Sequence, residues 1–151
     1  MQREWFKRKG RKGAESAKED NEKEFDMNEN ELSNRVIGAA IEVHKVLGPG
    51  LLESAYQKCL VQELNLSSVG VETEVPLCIE YKGIVVNDVY RLDLLVEGKL
   101  IVELKTVESI LGIHKAQLLT YLRFTGKKLC LLINFNEVYL KQGIKRIVNN
   151  L

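Results

Sequence analysis

The sequence predicts an α/β (α+β) domain with helices packed on a mixed central β-sheet, and three observations support this class. Hydrophobic periodicity gives the element order α-α-β-β-β-α-β. Residues 91–105 have the pattern of a β-hairpin, and residues 128–135 are almost continuously apolar, which is typical of a central strand covered on both faces. The 151 residues, 45% hydrophobic and 28% charged, are enough for one domain with its own core.

Two amphipathic helices come first. From Glu29 onwards, apolar residues recur at three- and four-residue steps, at Leu32, Val36, Ala40, Val43 and Leu47. Gly48-Pro49-Gly50 ends this helix, and a second helix begins directly afterwards. The buried stripe of the second helix is predicted to contain Leu52, Ala55, Tyr56, Cys59, Leu60 and Leu64.

The strands and a third helix follow. Residues 70–81 alternate between apolar and polar side chains, and Pro76 indicates an edge position or a bulge. A turn then leads into a long strand that contains the start of the 91–105 hairpin. The third helix is predicted over residues 113–125, before the apolar strand. The pattern of residues 139–148 is compatible with a last strand or with a short helix.

The first 31 residues differ from the rest in their charge. Residues 1–13 hold six Lys/Arg and one Glu, whereas residues 14–31 hold eight acidic residues and two Lys. Few apolar residues interrupt these blocks. We therefore predict a disordered tail over residues 1–31, basic then acidic, followed by a single domain over residues 32–151.

Composition excludes several classes of protein. No apolar run approaches the roughly 20 residues of a membrane span, and the charged N-terminus lacks the apolar segment of a secretory signal. Cys59, Cys78 and Cys130 are odd in number and have no CxxC spacing, so we expect reduced, buried thiols in a cytoplasmic protein. The net charge of +1 gives no global electrostatic argument for nucleic acid, so such binding would depend on local patches.

The hairpin at residues 91–105 carries the most informative pattern. A three-residue turn, Glu97-Gly98-Lys99, is a common hairpin loop. It creates one wholly apolar face from the pairs Val96–Leu100, Leu94–Val102 and Leu92–Leu104. The other face then carries the pairs Leu95–Ile101, Asp93–Glu103 and Arg91–Lys105. A two-residue turn would mix apolar and polar positions on each face, and register is normally fixed against such mixing.

This register brings the carboxylates of Asp93 and Glu103 within cross-strand reach, about 5 Å between Cβ atoms. Two carboxylates that close repel each other, and a divalent cation such as Mg²⁺ is the natural compensation. Lys105 lies on the same face, where an ammonium group can hold a nucleophilic water or stabilise charge on a phosphate. The alternative is an ordinary ion-pair cluster of these three residues with Arg91 on a solvated strand face.

Further candidates lie on the helices. Glu53, in the first turn of the second helix, either stabilises the helix start through the helix dipole or supplies a third carboxylate. His114, Gln117 and Tyr121 share one face of the third helix. His44, near the end of the first helix, either approaches the site or interacts favourably with the dipole at that end.

Together these motifs resemble the GxxExxY family, whose signature stands here as Gly50-Leu51-Leu52-Glu53-Ser54-Ala55-Tyr56. That family belongs to the PD-(D/E)XK nuclease-like superfamily, which has a restriction-endonuclease-like α-β-β-β-α-β core. The resemblance covers about residues 32–148. It assigns the strand acidic residue to Asp93, the E-X-K triplet to Glu103-Leu104-Lys105, and the Q-x-x-x-Y helix motif to Gln117 and Tyr121. Leu92 stands where the superfamily name has Pro.

The resemblance implies a nuclease that depends on Mg²⁺, with Mn²⁺ as a substitute, and that acts on nucleic acid, DNA in preference to RNA. Asp93 and Glu103 would hold the metal, with Glu53 and the Leu104 backbone carbonyl as further ligands. Lys105 would position the attacking water. The residues expected to orient these groups or to contact the substrate are Gln117, Tyr121, Arg91, Tyr56, His44 and His114. For both tyrosines, core packing with a hydrogen-bonded hydroxyl is the alternative.

A function of a different class stays open: a catalytically silent nuclease-fold module that binds nucleic acid or a protein partner. The acidic pair and Lys105 favour the nuclease. Residues 32–151 hold 14 basic and 12 acidic groups. This nearly neutral charge favours the silent module, or an enzyme that works as a homodimer or within a protein complex.

Overall fold

The computed structural model describes residues 26–151, in which two helices precede a sheet. The helices are α1 (Glu29–Leu47), α2 (Glu53–Leu66) and α3 (Gly112–Thr125), with a short 3₁₀ helix at Leu140–Gly143. The strands are β1 (Val71–Tyr81), β2 (Ile84–Val96), β3 (Leu100–Lys105), β4 (Leu129–Asn134) and β5 (Ile144–Val148). This order confirms the predicted α/β (α+β) class. Both alternatives for residues 139–148 are present, because the short helix leads into β5.

α1 begins before the predicted domain boundary at residue 32. The Asn28 side chain accepts a hydrogen bond from the Glu31 N–H at 3.0 Å, and the Glu31 carboxylate accepts one from the Asn28 N–H at 2.9 Å. This capping box fixes the start of the helix. Residues 29–31, which we assigned to the disordered tail, therefore form its first turn. Residues 1–25 of the predicted tail lie outside the described residues.

The sheet has five strands in the order β1-β2-β3-β4-β5 and is mixed, as predicted. β3 and β4 run parallel, with α3 as the crossover, whereas the other neighbouring pairs are antiparallel. β4 is buried along its whole length, as expected of a central strand. Pro76 lies on the edge strand β1, and the β1–β2 register shifts between Leu77 and Ile79. The predicted edge position is therefore confirmed, and the bulge lies just beyond Pro76, which itself pairs with Arg91.

Apolar side chains form a core on each side of the sheet. α1 and α2 cover one face, where Leu60 and Val36 pack in the same cluster as Leu94. α3 covers the other face, where Leu122 packs in the same cluster as Leu132. Within residues 26–151, no helix is long and apolar enough to cross a membrane.

The β2–β3 hairpin has the predicted register next to its turn. The pairs there are Val96–Leu100, Leu95–Ile101 and Leu94–Val102. The predicted alternation then fails, because Leu92 packs against α3 whereas Leu94 packs under α1 and α2. Leu104 also packs under α1 and α2, so the predicted sharing of one face by Leu92 and Leu104 is wrong. The change of face occurs at Asp93.

Tyr56 holds the loop between α1 and α2. Its ring is fully buried and stacks on Phe135, with 4.4 Å between the ring centroids. Its hydroxyl donates a hydrogen bond to the Gly48 carbonyl at 2.5 Å and accepts one from the Leu51 N–H at 3.1 Å. These contacts support core packing with a hydrogen-bonded hydroxyl, and they fix the loop that leads into Glu53.

We predict that Tyr56→Phe lowers the free energy of unfolding by about 1–2 kcal/mol, because two backbone groups of the loop lose their hydroxyl partner. Urea unfolding followed by circular dichroism measures the difference. Tyr81→Phe is the control, because Tyr81 is 59% exposed, and it should leave the stability unchanged. Equal stability of Tyr56→Phe and the wild type would show that the hydroxyl does not hold the loop.

Candidate active site

The β2–β3 ladder ends at the Leu94–Val102 pair, and two carboxylates replace the strand pairing beyond it. The Asp93 N–H donates a hydrogen bond to Glu103 Oε1 at 3.0 Å, and the Leu104 N–H donates one to Asp93 Oδ2 at 2.8 Å. Each carboxylate thus accepts a backbone N–H that needs a partner in the protein interior. The two carboxylates meet through side chain–backbone bonds and not through continued strand pairing.

β3 extends past this point because β4 supports it. Its last three residues pair in parallel with Leu132, Ile133 and Asn134. Asn134 is fully buried; its side chain accepts a hydrogen bond from the Val107 N–H at 3.1 Å and donates one to the Val107 carbonyl at 2.8 Å. The segment that carries Glu103 and Lys105 is therefore fixed by its neighbouring strand and by the loop that follows it.

Burial raises the proton affinity of this carboxylate pair. Glu103 is only 5% exposed, and burial, followed by the negative charge of Asp93, raises its pKa to about 8. Burial also raises the pKa of Asp93, and the charge of Glu74 adds to the shift, while the hydrogen bond from the Leu104 N–H opposes it. A shared proton or a cation relieves the repulsion between the two groups.

Glu53 lies near the pair. It is the first residue of α2. Burial, followed by the charge of Asp93, raises the pKa of Glu53, while the charge of Lys105 lowers it. The structure therefore brings Glu53 towards the hairpin. Its place in the first turn is also favourable for the helix dipole, so both of its predicted roles are compatible with its position.

Lys105 is half-buried, and its positive charge acts on all three of these carboxylates. Arg91 is exposed. Neither residue forms a salt bridge within residues 26–151, where the salt bridges are Lys45–Glu42 and Lys99–Asp26. The alternative, an ordinary ion-pair cluster of Asp93, Glu103 and Lys105 with Arg91, is therefore not found within residues 26–151.

Two residues that the sequence patterns do not single out also belong to these surroundings. Glu74 and Asp93 lie between the Thr73–Leu94 and Val75–Leu92 pairs of β1 and β2, and Glu74 has a φ of 52°, which residues other than glycine rarely adopt. Gln57 Nε2 donates hydrogen bonds to Glu74 Oε1 at 3.1 Å and to the Asp93 carbonyl at 3.5 Å, and so links α2 to both strands. Alternation put Glu74 on a polar face, but only the β1–β2 register places it beside Asp93.

A family model for the PD-(D/E)XK nuclease superfamily matches residues 30–147. This chain belongs to the PD-(D/E)XK nuclease superfamily. No curated protein and no solved structure matches it. The mixed sheet with its three helices is consistent with the superfamily's restriction-endonuclease-like fold. Members are generally hydrolytic nucleases that typically use divalent metals such as Mg²⁺, and some are inactive. The narrower GxxExxY resemblance stays a prediction.

The donor atoms of this candidate site suit a divalent cation. Asp93 Oδ1 and Glu103 Oε2 accept no hydrogen bond from an N–H group of the described residues. Among those residues, no three His, Cys, Asp or Glu side chains form a complete metal cluster, so Glu53 does not add a third ligand at close range. Mg²⁺ usually binds through one or two carboxylates and keeps several waters. The Asp93–Glu103 pair therefore fits such an ion.

Gln117 and Tyr121 lie one turn apart on α3, which covers the same side of the sheet as Leu92. Tyr121 is 6% exposed, and burial, followed by the charge of Glu103, raises its pKa to about 12. Its hydroxyl therefore stays protonated at neutral pH and can donate a hydrogen bond. Gln117 is half-buried and forms no hydrogen bond within residues 26–151, so its amide is available to a ligand.

Local contacts account for the two histidines. His44 Nε2 is 2.7 Å from the Glu137 carbonyl, and its ring lies beside that of Phe135. His114 Nδ1 accepts a hydrogen bond from the Leu111 N–H at 3.0 Å, at the start of α3. The structure does not bring either side chain into contact with the carboxylate pair.

We predict that the metal-free protein loses stability as the pH rises from about 5 to about 8. The folded protein holds the Glu103 proton up to a pKa of about 8, whereas the unfolded chain releases it at the ordinary pKa of 4.5. Between these two pKa values the folded protein binds more protons than the unfolded chain, so the free energy of unfolding falls as the pH rises. The fall ends when the pH passes the folded-state pKa. We expect the melting temperature in chelator to fall by on the order of 5 °C across this range.

Glu103→Gln should remove the larger part of this pH dependence and melt higher than the wild type at about pH 8, because a neutral amide still accepts the Asp93 N–H without the buried charge. Glu80→Gln is the matched control, because Glu80 is an exposed glutamate on β1. A wild type and a Glu103→Gln variant with parallel pH profiles would contradict the prediction.

Proposed function

We propose that this protein is a Mg²⁺-dependent nuclease that hydrolyses phosphodiester bonds in nucleic acid, DNA in preference to RNA. The observation that carries the proposal is the meeting of Asp93 and Glu103 beside Lys105 at the end of the β2–β3 ladder. Membership of the superfamily supports the reaction class. Burial, with the charge of Glu74 at Asp93 and the charge of Asp93 at Glu103, raises the pKa of both acidic residues, and a cation would compensate the negative charge of the ionised pair.

In this proposal Asp93 and Glu103 hold the metal through their remaining oxygens. The Leu104 backbone carbonyl is the further proposed ligand, and Glu53, which does not complete a three-residue cluster with the pair, would bind the ion through one of the waters that Mg²⁺ keeps. Bound Mg²⁺, or Mn²⁺ in its place, would supply an activated water and neutralise charge on the scissile phosphate. The backbone hydrogen bonds to Glu103 Oε1 and Asp93 Oδ2 orient both carboxylates before the metal arrives, which reduces the reorganisation that binding requires.

Lys105 is the residue proposed to act on the water or on the phosphate. The residue is half-buried and its ammonium group forms no salt bridge within residues 26–151, so its donors are available to substrate. A positive charge held at that place stabilises negative charge that develops on the phosphate. Gln117 and Tyr121 are proposed to donate hydrogen bonds to the carboxylates or to the substrate backbone, since both lie on the helix that covers this side of the sheet.

The decisive test of activity is a cleavage assay on linear duplex, single-stranded and branched DNA and on single-stranded RNA, with Mg²⁺, Mn²⁺ or chelator. We expect metal-dependent cleavage by the wild type. In Lys105→Ala we expect at least about a hundredfold loss, because a charge that stabilises the transition state is removed.

Lys128→Ala is the matched control, because Lys128 is an exposed lysine before β4, at the opposite end of that strand from Asn134. It should retain wild-type activity. Well-folded wild-type protein that cuts none of these substrates would contradict the proposal and favour the silent module that binds nucleic acid or a protein partner.

We also predict that Mg²⁺ raises the melting temperature of the wild type and that Asp93→Asn abolishes most of the rise. A ligand at about 100 times its Kd stabilises the folded state by about 2.7 kcal/mol. Differential scanning fluorimetry over a range of Mg²⁺ concentrations measures this.

Asparagine keeps an oxygen that can accept the Leu104 N–H, so the variant should still fold. Glu80→Gln is again the control and should show the full metal response. A rise of equal size in Asp93→Asn and the wild type would place the metal elsewhere.

A further inference from the structure

An exposed tyrosine stands next to the candidate site and has no part in the proposed chemistry. Tyr90 lies on β2 three residues before Asp93, and the residue is 40% exposed. The ring centroid is 6.2 Å from that of Tyr121, and the two ring planes are tilted by 57°. Tyr90 therefore lies on the solvent side of Tyr121, next to a buried residue of the candidate site.

The pairing of β1 and β2 is irregular directly before Tyr90. The β1–β2 register shifts between the pairs Leu77–Tyr90 and Ile79–Val86. β2 thus has residues 87–89 where β1 has residue 78 alone. Bulges of this kind change the direction of a side chain and are frequent next to active sites. Regular pairing with β1 begins again at Tyr90 and continues towards the site.

A single exposed apolar side chain is ordinary on a protein surface. Tyr90 differs because it is aromatic, adjoins a buried tyrosine of the site, and forms no hydrogen bond within residues 26–151. An aromatic face that is open to solvent beside a phosphodiesterase site is a suitable surface for a nucleobase, since base–aromatic stacking tolerates any base.

The charge of the domain points to the same kind of contact. Residues 32–151 hold 14 basic and 12 acidic groups, so the domain has little net positive charge to attract a phosphate backbone. Proteins that bind duplex backbones depend on many such phosphate contacts. A nearly neutral domain needs another source of affinity, and stacking on an aromatic ring provides one for unpaired nucleotides.

We propose that Tyr90 stacks on an unpaired nucleobase next to the scissile phosphate, and that the substrate is accordingly single-stranded DNA or a frayed single-stranded end. This inference rests on the proposed function, because it takes the Asp93–Glu103 pair as the position of the phosphate. Inside a duplex both faces of each base are covered by its neighbours, so an intact duplex cannot supply the face that Tyr90 needs. Tyr90 is thus a specificity-determining residue and takes no part in bond cleavage.

The test is binding by Lys105→Ala, in Mg²⁺, to a fluorescent single strand of about 12 nucleotides, followed by fluorescence anisotropy. The same sequence as a duplex and a strand of abasic sugar-phosphates are the comparison probes. We expect the single strand to bind more tightly than the duplex. Adding Tyr90→Ala should weaken single-strand binding about tenfold, whereas adding Tyr90→Phe should change it by less than about twofold, because the ring remains.

Tyr81→Ala is the matched control, because Tyr81 is an exposed tyrosine at the end of β1. It lies about four residues or ~13 Å along that strand from Leu77, the partner of Tyr90. It should leave binding unchanged. Tyr90→Leu keeps apolar bulk against Tyr121, so it should fold even if the alanine variant does not, and it should show the same loss of affinity.

Three results would overturn the inference: a duplex bound as tightly as the single strand, no loss in Tyr90→Leu, or an equal loss for the abasic strand. Failure of the proposed function looks different. In that case the wild type cuts nothing, while Tyr90-dependent single-strand binding persists. Cleavage that is unaffected by Tyr90→Leu would instead support the nuclease and reject the stacking role.

Discussion

The exchange of hydrogen bonds between Asp93 and the β3 segment is the constraint on which the structure of the site depends. Pairing between β2 and β3 stops at the Leu94–Val102 pair, yet the backbone N–H groups of Asp93 and Leu104 beyond it still need acceptors. The carboxylates of Asp93 and Glu103 supply them and are thereby held next to each other, with Glu103 buried and Asp93 half-buried. The protein thus obtains a closed backbone network and a concentrated negative charge from the same two side chains. β4 then keeps Lys105 beside them by continuing to pair with β3.

The sequence predicts the parts of this arrangement that depend on local chemistry. The turn at Glu97 and Gly98 sets the hairpin register, because both residues adopt positive φ and a one-residue slip would mix apolar and polar positions. Three- and four-residue spacing locates the helices, and short motifs locate Glu53, Gln117 and Tyr121 on them. The same alternation argument fails at Leu92, because it assumes that pairing continues, whereas side chains replace the backbone acceptors at Asp93.

Other features could not be predicted because they depend on contacts distant in the chain. Glu74 joins the site through the β1–β2 register, and Gln57 reaches it from α2. Neither pairing is visible in one strand or one helix alone. His114 shows the opposite problem: it shares a helix face with Gln117, but a hydrogen bond from the Leu111 N–H holds it at the helix start. Helical spacing predicts which side chains point the same way, but it does not predict which groups they contact.

The double use of the carboxylates has an evolutionary consequence. A descendant that lost catalysis would still need Asp93 and Glu103, or close substitutes, to close the backbone network where β2 leaves β3. Lys105 forms no salt bridge among residues 26–151 and acts on the carboxylates through its charge, so its loss would leave the backbone network intact. In proteins that share this arrangement, retention of the acidic pair is therefore explained by structure alone. Retention of the lysine is the better indicator of hydrolytic activity.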